Sequence, residues 1–117
     1  MQVKTIDVQG FSNTHGGNPY YAGYVCINFG MPDEKYYYMP YQWGTRDCYL
    51  DTAARLLCHA EILPLRKYQH GGVQPLWDYC REHGIILRKN VQPAPLHKLK
   101  EYTELANLHH PQITGIW

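Results

Sequence analysis

Tyr20-Tyr21-Ala22-Gly23-Tyr24-Val25-Cys26-Ile27-Asn28-Phe29, residues 20–29, decides the fold class. Its odd positions (Tyr21, Gly23, Val25, Ile27, Phe29) make one apolar face. Its even positions (Tyr20, Ala22, Tyr24, Cys26, Asn28) make another, and a period of two over such a run predicts a strand. Gly30-Met31-Pro32-Asp33-Glu34 then reads as a turn with Pro-Asp at its corner. Lys35 to Tyr41 returns as a third strand, paired with the second as a hairpin. Pro40 has no N–H to give a ladder, so this strand ends there or lies at a sheet edge. Upstream, Val3 to Val8 reads as a first strand. The turn residues from Gly10 to Pro19 predict a flexible loop.

The pattern then changes from two to 3.6. Leu50, Ala53, Ala54, Leu57 and Ala60 or Glu61 recur at helical spacing, with Asp47 as the expected N-cap, Asp51 favouring the first turn and Pro64 as the stop. Leu65 to Gly72 is a basic, turn-rich connection. Pro75 and Gly84 bracket a second helix with Leu76, Trp77 and Cys80 as its stripe and Tyr79 beside them. Ile85 to Arg88 reads as a short fourth strand. After Pro93 and Pro95, Leu96, Leu99, Tyr102 and Leu105 or Ala106 space as a third helix ending near His109-His110-Pro111. The tail from Ile113 to Trp117 is apolar and is expected to dock on the body or pair as an edge strand. The order β-β-β-α-α-β-α predicts an α+β fold: an antiparallel meander of three to four strands packed on one face by two to three helices. Residues 1–117 read as a single domain, with 93–117 as a C-terminal helical extension and tail.

At 117 residues, folding buries roughly two-thirds of the surface the unfolded chain exposes, enough for one modest core. Eleven Lys and Arg against ten Asp and Glu leave a net charge of +1, which argues against a general basic field for nucleic acid. No apolar run reaches the roughly 18 residues of a membrane span, and Met1 to Gly10 lacks an apolar core and a small-residue cleavage site. These features predict a cytoplasmic protein with Cys26, Cys48, Cys58 and Cys80 as free, mostly buried thiols.

Four chemical readings compete. Cys48 near a helix start, with Gln42 six residues upstream, resembles the spacing of papain-like thiol hydrolases, where the field of the helix lowers the thiol and the amide steadies an oxyanion. No histidine holds a marked position as its base: His59, His70, His83, His97, His109 and His110 are all loose candidates. Cys80 and His83 share a helical face, with Cys58-His59 and His109-His110 as other donors, yet paired zinc-type modules are missing, so no metal or cofactor is expected. Three strands and an alanine-rich helix loosely resemble half of a double-stranded-RNA-binding domain, but Asp47 and Asp51 carry the wrong sign for phosphate. Last, eleven Tyr and three Trp stand against two Phe, a composition suited to surfaces that are later covered. Tyr20, Tyr24, Tyr36, Tyr38 and Trp43 are predicted as cross-strand neighbours on one sheet face, open for a partner if the helices take the other.

Several segments together resemble small accessory proteins encoded by bacteriophages and other mobile elements of bacteria. They are Lys4-Thr5-Ile6-Asp7-Val8-Gln9, Gly17-Asn18-Pro19-Tyr20-Tyr21, residues 25–35, Met39-Pro40-Tyr41-Gln42-Trp43-Gly44 and residues 76–88. The resemblance spans residues 4 to 88, and Pro93 to Trp117 departs from it. It carries over no catalytic residues. It implies an inhibitor of a host defence system, an anti-CRISPR foremost, that binds a Cas protein or surveillance complex in the bacterial cytoplasm without direct contact to nucleic acid. The alternatives are a cysteine-dependent hydrolase using Cys48 and Gln42, or a nucleic-acid-binding accessory protein.

Overall fold

The alternation over residues 20–29 does build a strand, and it lies inside a sheet. The computed structural model describes residues 2–45 and 48–111. Its elements are β1 (Thr5–His15), β2 (Asn18–Ile27), β3 (Lys35–Trp43), α1 (Cys48–His59), α2 (Leu76–His83), β4 (Ile86–Pro93) and α3 (Leu96–His109). The order is the expected one, and the fold is mixed α+β, a four-stranded sheet packed against three helices. The strands lie in the order β3-β2-β1-β4, and β1-β2-β3 is the expected antiparallel meander.

Two features of the expected architecture differ. β4 runs parallel to β1, from Thr5 opposite Ile86 to Ser12 opposite Pro93. The chain reaches it through two helices, and a long crossover of this kind, unlike a hairpin, can deliver a parallel strand. The helices are also divided: α1 and α2 pack on one face of the sheet and α3 on the other.

The first strand is longer than its side chains suggest. Ser12, Asn13 and Thr14 continue the ladder opposite Tyr21, Tyr20 and Pro19, and Gly16-Gly17 closes it as a two-residue turn. Both glycines have positive φ, 60° and 82°, the conformation a tight hairpin turn requires. The expected loop is therefore mostly hairpin, because main-chain pairing does not need apolar side chains.

β2 stops two residues before Phe29. Asn28 turns left-handed (φ 54°) and buries its amide. Its Oδ1 accepts the N–H groups of Lys4 at 2.7 Å and Thr5 at 3.3 Å, while Nδ2 donates to the Gln2 carbonyl at 2.8 Å and to the Asp33 carboxylate at 3.2 Å. Phe29 is thereby turned outward and is 59% exposed, outside the apolar face expected for it. β3 continues past Pro40 to Trp43. The register slips there, with Tyr21 opposite Gln42 but Gly23 opposite Met39, and the irregular edge accommodates the missing N–H.

The larger core joins Ile6, Val8, Val25, Ile27 and Met39 of the sheet to Ala53, Leu56 and Leu57 of α1 and Leu76 and Cys80 of α2. Each buried leucine contributes roughly 1.5–3 kcal/mol. α1 approaches closely at one point, where Gly10 and Gly23 face each other across β1 and β2. A Cβ at Gly10 would lie 2.8 Å from the Tyr49 ring, so glycine is what lets that ring rest on the sheet. Asp47, the expected cap of α1, lies outside the described residues, as does the tail from Ile113 to Trp117.

α2 starts after Pro75 and ends at Gly84 (φ 66°), as the bracket predicts. Its buried stripe is Leu76, Tyr79 and Cys80. Trp77 faces outward instead, 56% exposed, with the Arg81 guanidinium 5.0 Å above its ring. β4 has eight residues, longer than expected, because Lys89, Asn90 and Gln92 hide a strand that main-chain pairing with β1 defines. Among the described residues no helix is long and apolar enough to cross a membrane.

Candidate functional site

α3 has fourteen residues, and its buried stripe is Leu99 and Ala106, with half-buried Tyr102 at the intervening helical position. That stripe settles on Phe11 and Ala22, on the sheet face that also carries Tyr20, Tyr24, Tyr36 and Tyr38. Tyr102 is the hub of the contact. Its ring centroid lies 5.5 Å from Phe11 and 6.4 Å from both Tyr24 and Tyr38. Tyr20 stacks on Tyr41 at 4.9 Å. The register sets Tyr24 against Tyr38 and Tyr20 against Trp43, while Tyr36, opposite Cys26, reaches the Tyr24 ring diagonally at 5.7 Å.

They are not all open. Under α3, Tyr20, Tyr24 and Tyr38 are half-buried, whereas Tyr36 is 38% and Trp43 70% exposed. The expectation of a face left free by the helices is corrected here, because the third helix needed a cover for its own stripe and this face supplied it. What reaches solvent is a pair of aromatic residues near the two ends of β3. The Tyr36 phenol is pushed up to about 12, first by its contact with the Cys26 thiol and then by burial.

α3 also closes the outer edge of β3. The Tyr38 N–H donates to His110 Nε2 at 3.2 Å, and the Tyr41 N–H donates to Thr103 Oγ1 at 2.9 Å. His110 stacks 5.2 Å from Tyr37 and 5.8 Å from Tyr38. Burial, and after it the neighbouring His109, holds its imidazole below the ordinary 6.5, in the neutral form that accepting this bond requires. The start of α3 is fixed too: the Ala94 N–H donates to the Ser12 carbonyl at 2.9 Å and Asn13 Nδ2 to the Ala94 carbonyl at 2.7 Å. Thr103 had no signal in the sequence beyond its place on a helix, and His110 was singled out there only as a loose candidate base or metal donor, not as an edge cap. Tyr102 had a signal, since it stands three residues after Leu99 and four before Ala106.

The thiol site is less developed. Cys48 opens α1, as expected, and its Sγ lies 3.5 Å from Thr45 Oγ1. Gln42 Oε1 accepts the Tyr21 hydroxyl at 3.2 Å, and Tyr21 also hydrogen-bonds Thr52. Burial raises the Tyr21 phenol, so it stays protonated. Gln42 Nε2 is buried without a hydrogen-bond partner. Among the described residues no imidazole hydrogen-bonds Cys48. Cys80 is buried and its thiol is pushed up to about 11 by that burial, while His83 stacks on Tyr79 at 4.1 Å. His59, His109, His110 and Glu61 line one recess of about 560 Å³ beside Tyr36. Among the described residues, however, no three His, Cys, Asp or Glu side chains are placed to hold one metal ion. No family model, no curated protein and no solved structure matches the chain.

Proposed function

We propose that this protein works by occupying a macromolecular partner, and that the partner is a component of a bacterial defence system, a Cas protein or surveillance complex foremost. The binding half of this reading rests on one observation: Trp43 and Tyr36 project from an edge strand whose Tyr38 and Tyr41 are braced beneath α3 and whose Tyr37 is buried in the larger core. A large ring held on a rigid strand loses little freedom on binding, which is why such residues anchor contacts. The identity of the partner rests on the resemblance to phage accessory proteins.

Co-expression with CRISPR effectors followed by pull-down tests it. Retention by one effector is expected, and Trp43→Ala with Tyr36→Ala should weaken it by at least about tenfold while leaving the melting temperature within a few degrees. No retained effector, or a double variant that binds and inhibits as well as the parent, removes the proposal. Cys48→Ala separates the rival hydrolase: unchanged biological activity is expected here, and loss of activity in a normally folded variant would favour the thiol.

A further inference from the structure

β4 is the outer strand on the side of the sheet away from β3. The Ile86 N–H donates to the Lys4 carbonyl at 3.1 Å, and the Ala94 N–H donates to the Ser12 carbonyl at 2.9 Å. Main-chain groups at even positions of this strand therefore turn toward β1. In a parallel ladder the N–H and C=O of one residue point the same way, and direction alternates along the strand. Leu87, Lys89 and Val91 consequently aim three N–H and three C=O groups away from the sheet. Among the described residues nothing hydrogen-bonds them. The contrast is with β3, where Thr103 of α3 and His110 just past its end take two of the outward N–H groups.

A row of unpaired main-chain groups selects one kind of ligand, another extended chain. A second copy is a poor candidate. The antiparallel two-fold register with the most pairing sets Leu87 against Val91 and Lys89 against its own copy, and like charges directly opposite each other are destabilising. Lys89 forms no ion pair among the described residues, unlike Arg88, which is held by Asp7 at 2.6 Å. Beside the edge, Leu87, Lys89 and Ile85 line a groove of about 600 Å³ against Leu76, Trp77 and Arg81 of α2. Asp51 lies on its α1 rim.

We propose that the β4 edge receives an extended segment of a partner protein as a fifth strand, with an acidic residue opposite Lys89 and apolar residues two positions to either side. Main-chain bonds to Leu87, Lys89 and Val91 hold the segment. The groove under Trp77 takes an apolar side chain, and Lys89 sets the register. This site lies on the opposite edge from Trp43 and stands or falls independently of the function proposed above.

The probe is the peptide acetyl-Thr-Ile-Thr-Glu-Thr-Val-Thr-amide, titrated into the full-length ¹⁵N-labelled protein. The amides of Leu87, Lys89 and Val91 should shift saturably and slow their hydrogen exchange by at least about tenfold, with those of Arg88 and Asn90 unchanged in exchange. The same peptide with lysine for its glutamate should bind about tenfold more weakly, and Lys89→Glu should reverse that order. Val91→Pro removes an outward N–H that bonds nothing among the described residues, so it should abolish binding with little change in melting temperature. The proposal is overturned by unshifted amides at millimolar peptide or by equal binding of the two peptides. It is also overturned if the three amides become protected in a dimer of the protein alone.

Discussion

Asn28 shows how much one side chain can carry. A left-handed residue at the end of a strand favours asparagine or glycine, and only asparagine also bonds two N–H groups, a carbonyl and a carboxylate there. Asn28→Ala leaves two main-chain N–H groups without the partner they had and sets a Cβ in a disfavoured conformation. A loss of about 3 kcal/mol is expected, read as a lower urea midpoint at unchanged slope. His110 is the second such residue. Its folded value lies below the unfolded one, so the unfolded chain takes up the proton first. The stability it contributes is complete above the ordinary 6.5, falls as pH drops below that, and levels off beneath the folded value. His110→Gln should flatten this segment of a stability-against-pH curve; an equal slope in the variant would assign the effect elsewhere.

At the scale of elements, α3 is both a cover and an edge cap. Thr103→Val keeps the shape but removes the acceptor for the Tyr41 N–H, at a cost of about 1–2 kcal/mol. Exchange of the Tyr41 amide should quicken by more than that of Val25 or Ile27; uniform quickening would mean only global loss of stability. Elements whose side chains carry a period, or whose ends carry Pro and Gly, were legible in the chain: β2, its turn into β3, and α2 between Pro75 and Gly84. The far half of β1 and most of β4 were not, because polar residues such as Asn13 and Asn90 enter a ladder through main-chain groups that sequence does not display. The candidate site divides in the same way. That Tyr24 and Tyr38 would meet follows from strand spacing. That α3 would lie over them does not, since an apolar stripe tells that a helix needs a cover and not which face will provide it. Trp77 misled for a related reason: it stands three residues before Cys80, yet Leu76 and Tyr79 fill the core side.

At the scale of the whole molecule, the two faces and two edges differ in kind. One face holds the aliphatic core under α1 and α2, and the other holds stacked aromatic rings under α3. At one edge Thr103 and His110 take two of the outward N–H groups, and at the other no described residue hydrogen-bonds the outward groups beside Lys89. With a net charge of +1, the surface has no general excess of positive charge to hold a phosphate backbone. Any nucleic-acid affinity that fell steeply between low and moderate salt would contradict a role through protein contact.

The parallel pairing of β1 with β4 has a consequence for how the chain is made. Asp7 meets Arg88 across 81 residues, whereas the β1–β2 hairpin turns on two glycines. On the ribosome the hairpin can therefore zip as soon as it emerges, while one flank of β1 waits for both α1 and α2 to be synthesised. Pulse-labelled refolding should show the even-numbered β4 amides protected after those of β2; simultaneous protection would mean that the sheet assembles in one step. During that wait the β1 flank lacks its ladder partner, and β4 supplies it on arrival.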